Sequence, residues 1–241
     1  MRLALRGNHR SGLKKTGHVS DRLADHFFSD GLPASVYSAA SDAWDGGYAV
    51  WGMIIFQTRG YEMKDMEERI LIRPEEEWAD EIADYRREFL AVKSPMDGTG
   101  ALKSLADPYE FIEDCRRGEN RETVRPGLVP ATQFLYVNKD THCLIGMIQI
   151  RHELNDSLRK LGGHIGYSIR PSMRGHSEAK TMLGLGLDWC RKNLDAKEVM
   201  ISCAVSNPAS EHTILAWSGR LRARTIDPET GEPVHIYFIT L

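Results

Sequence analysis

Apolar positions fall into two rhythms from about Glu67 onward, and into neither before it. Arg69 to Arg73 alternates around Ile70 and Ile72, which predicts a short strand ended by Pro74. Pro74 is also a permitted first-turn residue, and Trp78, Ile82, Tyr85 and Phe89 follow at helical spacing. Asp107-Pro108 predicts a second helix start, with Tyr109, Phe111, Ile112 and Cys115 on its apolar side and Gly118 as its stop. Thr132 to Asn138 and Leu144 to Arg151 read as a hairpin around Asn138-Lys139-Asp140. Gly162-Gly163 breaks the chain before a strand from His164 to Arg170, closed by Pro171. Ser177 to Leu194 carries a helical apolar stripe, and Val199 to Val205 is a nearly continuous apolar run, as in a strand covered on both faces. Asn207-Pro208 then turns the chain into a short helix, Ala209 to Trp217. Arg220 to Ile226 and Val234 to Leu241 close as a hairpin. The order is strand, two helices, three strands, helix, strand, helix, two strands, which predicts a mixed, mostly antiparallel α/β sheet flanked by helices.

Residues 1–65 differ in texture. Arg, Lys, His, Gly and Ser dominate the first twenty, and no complete core-forming pattern follows, so an N-terminal extension with little structure is expected. Met63 and Met66 stand just before the first strand as candidate translational starts, and 66–241 is the expected catalytic domain. Val50 to Phe56 is the one apolar run in the extension, a candidate added strand or homodimer contact.

Composition narrows the class. The 241 residues carry 41% hydrophobic content, enough to fill a core, and a formal net charge of −3, which argues against a general nucleic-acid partner. The sequence shows no apolar run of the roughly 18 residues that a membrane-spanning helix needs, and no h-region follows the basic start. Cys115, Cys143, Cys190 and Cys203 stand apart with no CxxC pair, which reads as reduced thiols in a cytoplasmic protein. Gly184-Leu185-Gly186 falls inside a helix and reads as close packing rather than a dinucleotide fingerprint. His152-Glu153 lacks a second histidine, Asp156 standing in its place, so no metal is assigned.

The chemistry concentrates in GHIGYSIRPSMRGHSEAKTML, Gly163 to Leu183. A strand feeding through a small-residue turn into a long helix offers free backbone N–H groups and a positive helix end, a ready anion site. This stretch, with the order of elements over roughly 175 residues, resembles the GNAT superfamily of N-acetyltransferases, closest to a bacterial branch with the pattern GGHIGYSVRPSERxKGYA. The family's pyrophosphate loop, Arg/Gln-x-x-Gly-x-Gly/Ala, maps onto Arg174, Gly175, His176, Ser177, Glu178 and Ala179. A second signature, strand then Asn then short helix, maps onto Asn207, Ala209 and Ser210. Ser177 replaces the family's preferred Gly, and His176 and Glu178 its usual Lys and Tyr.

The resemblance implies acetyl-CoA as co-substrate, lying between splayed fourth and fifth strands. It also implies direct transfer of acetyl to a small-molecule or peptide amine in a ternary complex. A main-chain N–H of the fourth strand, from Ser168 or Ile169, would face the thioester carbonyl; Arg170, at the end of that strand, joins the cofactor-binding set. The family's helix Tyr, its general acid, is missing between Asn207 and Gly219, which leaves Tyr237 as a substitute. His164, Glu153 and His152 are the candidate bases, with His favoured by its ordinary pKa of about 6.5. A degenerate acyl-CoA-binding module is the rival reading, and an RNA-modifying member is disfavoured by the charge.

Overall fold

The computed structural model describes residues 68–241; the expectations for 1–65 lie outside the described residues. Strand β1 is Arg69–Ile72. The helix expected from Pro74 begins later: a single 3-10 turn, Glu76–Trp78, precedes α1, Ala79–Ala91. Helix α2, Pro108–Gly118, starts as its sequence dictates, with the Asp107 side chain accepting a hydrogen bond from the Tyr109 N–H and Pro108 in the first turn. Strands β2, Ala131–Asn138, and β3, Cys143–Arg151, form the expected hairpin. A short π turn, Leu158–Gly162, leads into β4, Ile165–Ile169, and a 3-10 turn, Pro171–Met173, leads out of it. Helix α3, Glu178–Asn193, strand β5, Glu198–Ala204, helix α4, Pro208–Ala216, and strands β6, Arg220–Ile226, and β7, Pro233–Thr240, complete the chain.

The strands divide into two antiparallel sheets, ordered β1-β2-β3-β4 and β5-β7-β6. Alternation in β2 shows how the first is covered. Leu135 and Val137 face a cluster built from Ile82, Tyr85 and Phe89 of α1 with Phe111 and Ile112 of α2. Phe134 and Tyr136 face the opposite cluster, with Met182, Leu183 and Leu187 of α3. Ile82, Tyr85 and Phe89 are wholly buried, each burial contributing roughly 1.5–3 kcal/mol, so the helical spacing read from sequence is the spacing that closes the core. The second cluster continues into Val199, Ile201, Ile214, Tyr237 and Ile239, so one core spans both sheets.

The two glycines inside α3 are packing devices, as their position in a helix predicted. A Cβ at Gly184 would stand 2.3 Å from the Trp217 ring, and one at Gly186 2.7 Å from Ile148 Cδ1. Trp217, at the point where the resemblance implies a helix Tyr, fills the space over Gly184 and donates its ring N–H to the Lys180 carbonyl. Among the described residues no helix is long and apolar enough to cross a membrane.

Candidate active site

The two sheets meet at one isolated bridge between Gly163 and Ile201. Two hydrogen bonds hold this seam: the His164 N–H donates to the Met200 carbonyl at 2.7 Å, and the Met200 N–H donates to His164 Nδ1 at 2.9 Å. Beyond it β4 and β5 belong to separate sheets, which among the described residues leaves β4 with an open edge. The direction of its backbone groups follows from bonds at its two ends. Arg151 N–H donates to the His164 carbonyl and Arg170 N–H to the Ile145 carbonyl, so within β4 the even-numbered residues Gly166 and Ser168 face β3. Strand alternation then turns the N–H groups of Ile165, Tyr167 and Ile169 to the open edge. Of the two backbone donors the sequence suggested, Ser168 is turned to β3 and Ile169 to the gap.

The loop leaving β4 delivers the N-terminus of α3 beside that edge. Arg174 is folded back: its Nε donates to the Ile169 carbonyl at 3.1 Å, its Nη2 to Ser94 Oγ at 2.9 Å, and its guanidinium lies 5.3 Å from the Phe89 ring centre. Gly175 adopts φ 89 and Ser177 φ 60, both left-handed, and Ser177 caps α3 without a side-chain hydrogen bond. Among the described residues the first N–H groups of this 16-residue helix thus find no side-chain acceptor, next to a positive dipole end. His176 is exposed, and Ala179 packs against the core cluster.

Glu178 does not face this anion-ready end. Its carboxylate turns inward, accepting from Tyr136 Oη at 2.7 Å and pairing with Arg69 Nε at 3.4 Å. The repulsion a carboxylate would impose on phosphates is thereby reduced, and burial together with Glu178 holds the Tyr136 phenol protonated well above its ordinary range. The Ser177 side chain sits in a conformation that costs an L-residue roughly 1 kcal/mol and makes no cap. Ser177→Gly is therefore expected to raise stability by about 1 kcal/mol while leaving acetyl-CoA affinity equal or tighter. Thermal melts and calorimetric titration check this; a weaker affinity would mean the hydroxyl itself contacts ligand.

The remaining sequence-predicted residues scatter. Arg170 is committed to Glu81 and Glu88 of α1, each at 2.9 Å. His164 spends its Nδ1 lone pair on Met200, and burial, with Arg151 and Arg159, lowers its pKa, keeping the ring neutral. His152 lies beside Thr132 Oγ1 at 2.9 Å and against Trp189, and burial lowers its pKa too. Glu153 is exposed and pairs with Arg121. The buried Tyr237 donates to Glu211, with His235 Nδ1 at 3.2 Å from its hydroxyl; burial and Glu211 raise its pKa well above the ordinary phenol value. Asn207 Oδ1 accepts from the Ser210 N–H at 3.1 Å, capping α4. Asn207→Ala is expected to cost about 1 kcal/mol of stability through this cap. A several-fold rise in the Michaelis constant for acetyl-CoA beside the lowered melting point would add a cofactor contact to that role.

Two residues were not singled out from sequence. Tyr167, on β4, reaches Ser210 of α4, with its hydroxyl 3.0 Å from Ser210 Oγ and 3.3 Å from the Ser210 carbonyl; burial pushes its pKa up to about 12. Within an apolar strand it reads as core, and only the placement of α4 gives it a polar partner. Asp97, in the loop between α1 and α2, has its main-chain carbonyl bonded by Ser168 Oγ at 2.6 Å. Its carboxyl keeps solvent access yet is surrounded by enough protein to hold its pKa above the ordinary value, against the lowering effect of Arg151.

Comparison with known proteins accords with this geometry. The family model described as an acetyltransferase (GNAT) domain matches residues 68–216. No curated protein matches. Among solved structures, ribosomal-protein-S5-alanine acetyltransferase from Vibrio fischeri is 16% identical, covers 73% of this chain and 94% of its own, and has a TM-score of 0.54. The microcin C7 self immunity acetyltransferase MccE, solved with acetyl-CoA and AMP, is 18% identical over 73% of this chain and 93% of its own, with a TM-score of 0.54. A spermidine N-acetyltransferase SpeG chimera from Vibrio cholerae and hSSAT is 16% identical over 71% and 94%, with a TM-score of 0.51. At these identities the likeness is one of fold. The family model covers more than half of the chain, with the uncapped α3 and the open β4 edge inside its span, and the chain belongs to the GNAT family of acetyltransferases.

Proposed function

We propose that this chain is an acetyl-CoA-dependent N-acetyltransferase that moves the acetyl group to a primary amine by direct attack in a ternary complex. The observation that carries the reading is the juxtaposition of two unsatisfied features. The N-terminus of α3 has no side-chain cap, and the N–H groups of Tyr167 and Ile169 face the open edge of β4 a few residues away. The first suits a pyrophosphate and the second the amides and thioester of a pantetheine arm. The inward turn of Glu178 supports the fit, since it directs the one carboxylate in the first turn of α3 away from bound phosphate.

Acetyl-CoA supplies the activated acyl group; the chain's own groups position it and stabilise charge. The Ile169 N–H is the donor suited to the oxygen that becomes negative during attack, while Gly175, His176, Ser177 and Ala179 offer backbone N–H groups to phosphate. Asn207 caps α4 and Ser210 reaches Tyr167 of β4, so both would lie on the α4 side of a cofactor in the gap. The CoA thiol, with a pKa of about 8.5 in model compounds, departs without a strong acid. The acceptor is a small-molecule or peptide amine. Solved neighbours of the fold include enzymes named for spermidine and for the alanine of a ribosomal protein, which supports an amine acceptor without choosing between them.

Calorimetric titration of the full chain with acetyl-CoA, followed by CoA-release assays against spermidine and alanine- and serine-initiated peptides, tests the reading. Binding with amine-dependent release is expected. Binding with no release from any acceptor would favour a non-catalytic acyl-CoA-binding module.

A further inference from the structure

We propose that Asp97 is the group that receives the acceptor's proton, so that the acceptor enters as an ammonium ion held against β4 on the α1–α2 face of the sheet. The proposal rests on the acetyltransferase reading above and assigns its missing base. It starts from how tightly the Asp97 loop is laid on β4. A Cβ at Gly98 would fall 2.1 Å from the Gly166 carbonyl oxygen and 2.4 Å from the Tyr167 nitrogen, and Gly98 has φ 69. Only glycine on the loop and glycine on the strand let the two backbones approach this closely.

Side chains lock the contact. Ser168 Oγ donates to the Asp97 carbonyl at 2.6 Å, Gln133 Nε2 donates to the Gly98 carbonyl at 2.9 Å, and the buried Thr99 donates to the Met96 carbonyl at 2.8 Å. Tyr85, from α1, donates to the Ser168 carbonyl at 3.0 Å and so fixes the same point of β4 from the helix side.

The clamp holds the Asp97 main chain, and the residue itself is exposed although protein surrounds much of its carboxyl, so a ligand can reach it from the solvent side. Among the described residues, Arg151 of β3 and Tyr167 of β4 are the charged and titratable groups that interact with it electrostatically. Arg151 is itself occupied, donating from Nη1 to the Gly162 and Gly163 carbonyls at 3.3 and 3.1 Å. Asp97 therefore keeps acceptor capacity for an incoming N–H donor, beside the strand whose next N–H groups face the gap. Burial, which raises its proton affinity, makes it a stronger base than an ordinary aspartate.

The step balances. The ammonium gives one proton to Asp97, and the neutral nitrogen attacks the thioester carbon; the C–N bond forms and the C–S bond breaks. The departing thiolate takes a second nitrogen proton, and Asp97 releases the first to water.

The test compares the full chain with Asp97→Asn and Asp97→Glu, using whichever of spermidine, an alanine-initiated peptide and a serine-initiated peptide the wild type acetylates best. For Asp97→Asn, kcat/KM is expected to fall at least about 100-fold, and the acid limb of its pH profile to vanish. The acceptor should bind the CoA-loaded chain more weakly by calorimetry, while the melting point and acetyl-CoA affinity stay near wild type. Asp97→Glu should restore part of the rate. An Asp97→Asn enzyme within threefold of wild type, or one whose loss tracks an equal loss of acetyl-CoA affinity, overturns the inference alone. A wild type that releases no CoA with any acceptor overturns the parent reading, and this inference with it.

Discussion

Gly163→Val is expected to be among the most damaging single substitutions in the described fold, lowering stability by about 4 kcal/mol. Three effects add. Gly163 has φ 68 and ψ −170, a region that is essentially glycine-only and costs other residues roughly 1–3 kcal/mol. A Cβ there would stand 2.5 Å from the Met200 carbonyl oxygen and 2.9 Å from its carbon, so backbone rather than a flexible side chain must move. The backbone that moves is the seam itself, where the His164–Met200 hydrogen bonds link the edges of the two sheets. For a domain of this size 4 kcal/mol corresponds to a fall in Tm of roughly 8–16 °C. Gly175→Ala is the control. Its φ of 89 is also left-handed, but a Cβ there meets nothing within 4 Å, so only the conformational cost of roughly 1 kcal/mol applies. Calorimetric melts of both variants decide the matter. Equal falls would mean that strain alone acts and that the seam yields freely. If acetyl-CoA lies along the β4 edge as proposed, its affinity should fall with Gly163→Val as well, because the seam adjoins that edge.

The fold was legible where local physics dictates it. The 3.6-residue spacing of Ile82, Tyr85 and Phe89 specifies a buried helix face wherever the helix docks, and Asp107-Pro108 and Asn207-Pro208 specify their caps without any tertiary partner. The later start of α1 is a local competition that pattern alone does not resolve: Pro74 permits a helix, yet the chain spends one 3-10 turn bringing Trp78 into the core and onto the His142 ring, 4.0 Å away.

The division of the expected sheet into two antiparallel ones follows from the seam, which depends on residues 163 and 201 that no short window contains together. The site was legible as a segment and not as a geometry. Gly163 to Leu183 marks the loop proposed to hold an anion, but the inward turn of Glu178 depends on Arg69 and Tyr136, more than forty residues before it. Asp97 sits in Pro95-Met96-Asp97-Gly98, which reads locally as an ordinary surface turn. Its interest comes from Gly166, whose lack of a side chain admits the loop, and a glycine pair so distant in sequence announces nothing until the chain is folded.

Arg170→Met is expected to cost about 2 kcal/mol near neutral pH, with the loss concentrated where β4 runs into the anion loop. Arg170 has 12% of its side chain exposed and donates to Glu81 Oε2 and Glu88 Oε2 at 2.9 Å each and to the Leu144 carbonyl at 3.2 Å. Methionine keeps much of the volume but leaves two carboxylates near each other without their shared cation. Breaking a fully buried pair costs roughly 3–5 kcal/mol, and the 24% and 25% exposure of the two glutamates argues for the lower figure. The pH dependence separates charge from packing. Burial pushes the Glu88 carboxyl up, but hydrogen bonds from Ser172 and Arg170 outweigh it and leave the folded-state pKa below its ordinary value. A depressed carboxylate contributes stability that is fully present above its unfolded pKa of about 4.3 and is lost as pH falls through the folded value. The gap between wild type and Arg170→Met should therefore be widest near pH 7 and narrow below about pH 4, as protonation removes the charge that Arg170 serves. Urea unfolding of both proteins at pH 7, 5 and 3 measures it. A gap unchanged across that range would assign the loss to packing of the arginine stem and would remove the ion pair from the account of how β4 is anchored to α1.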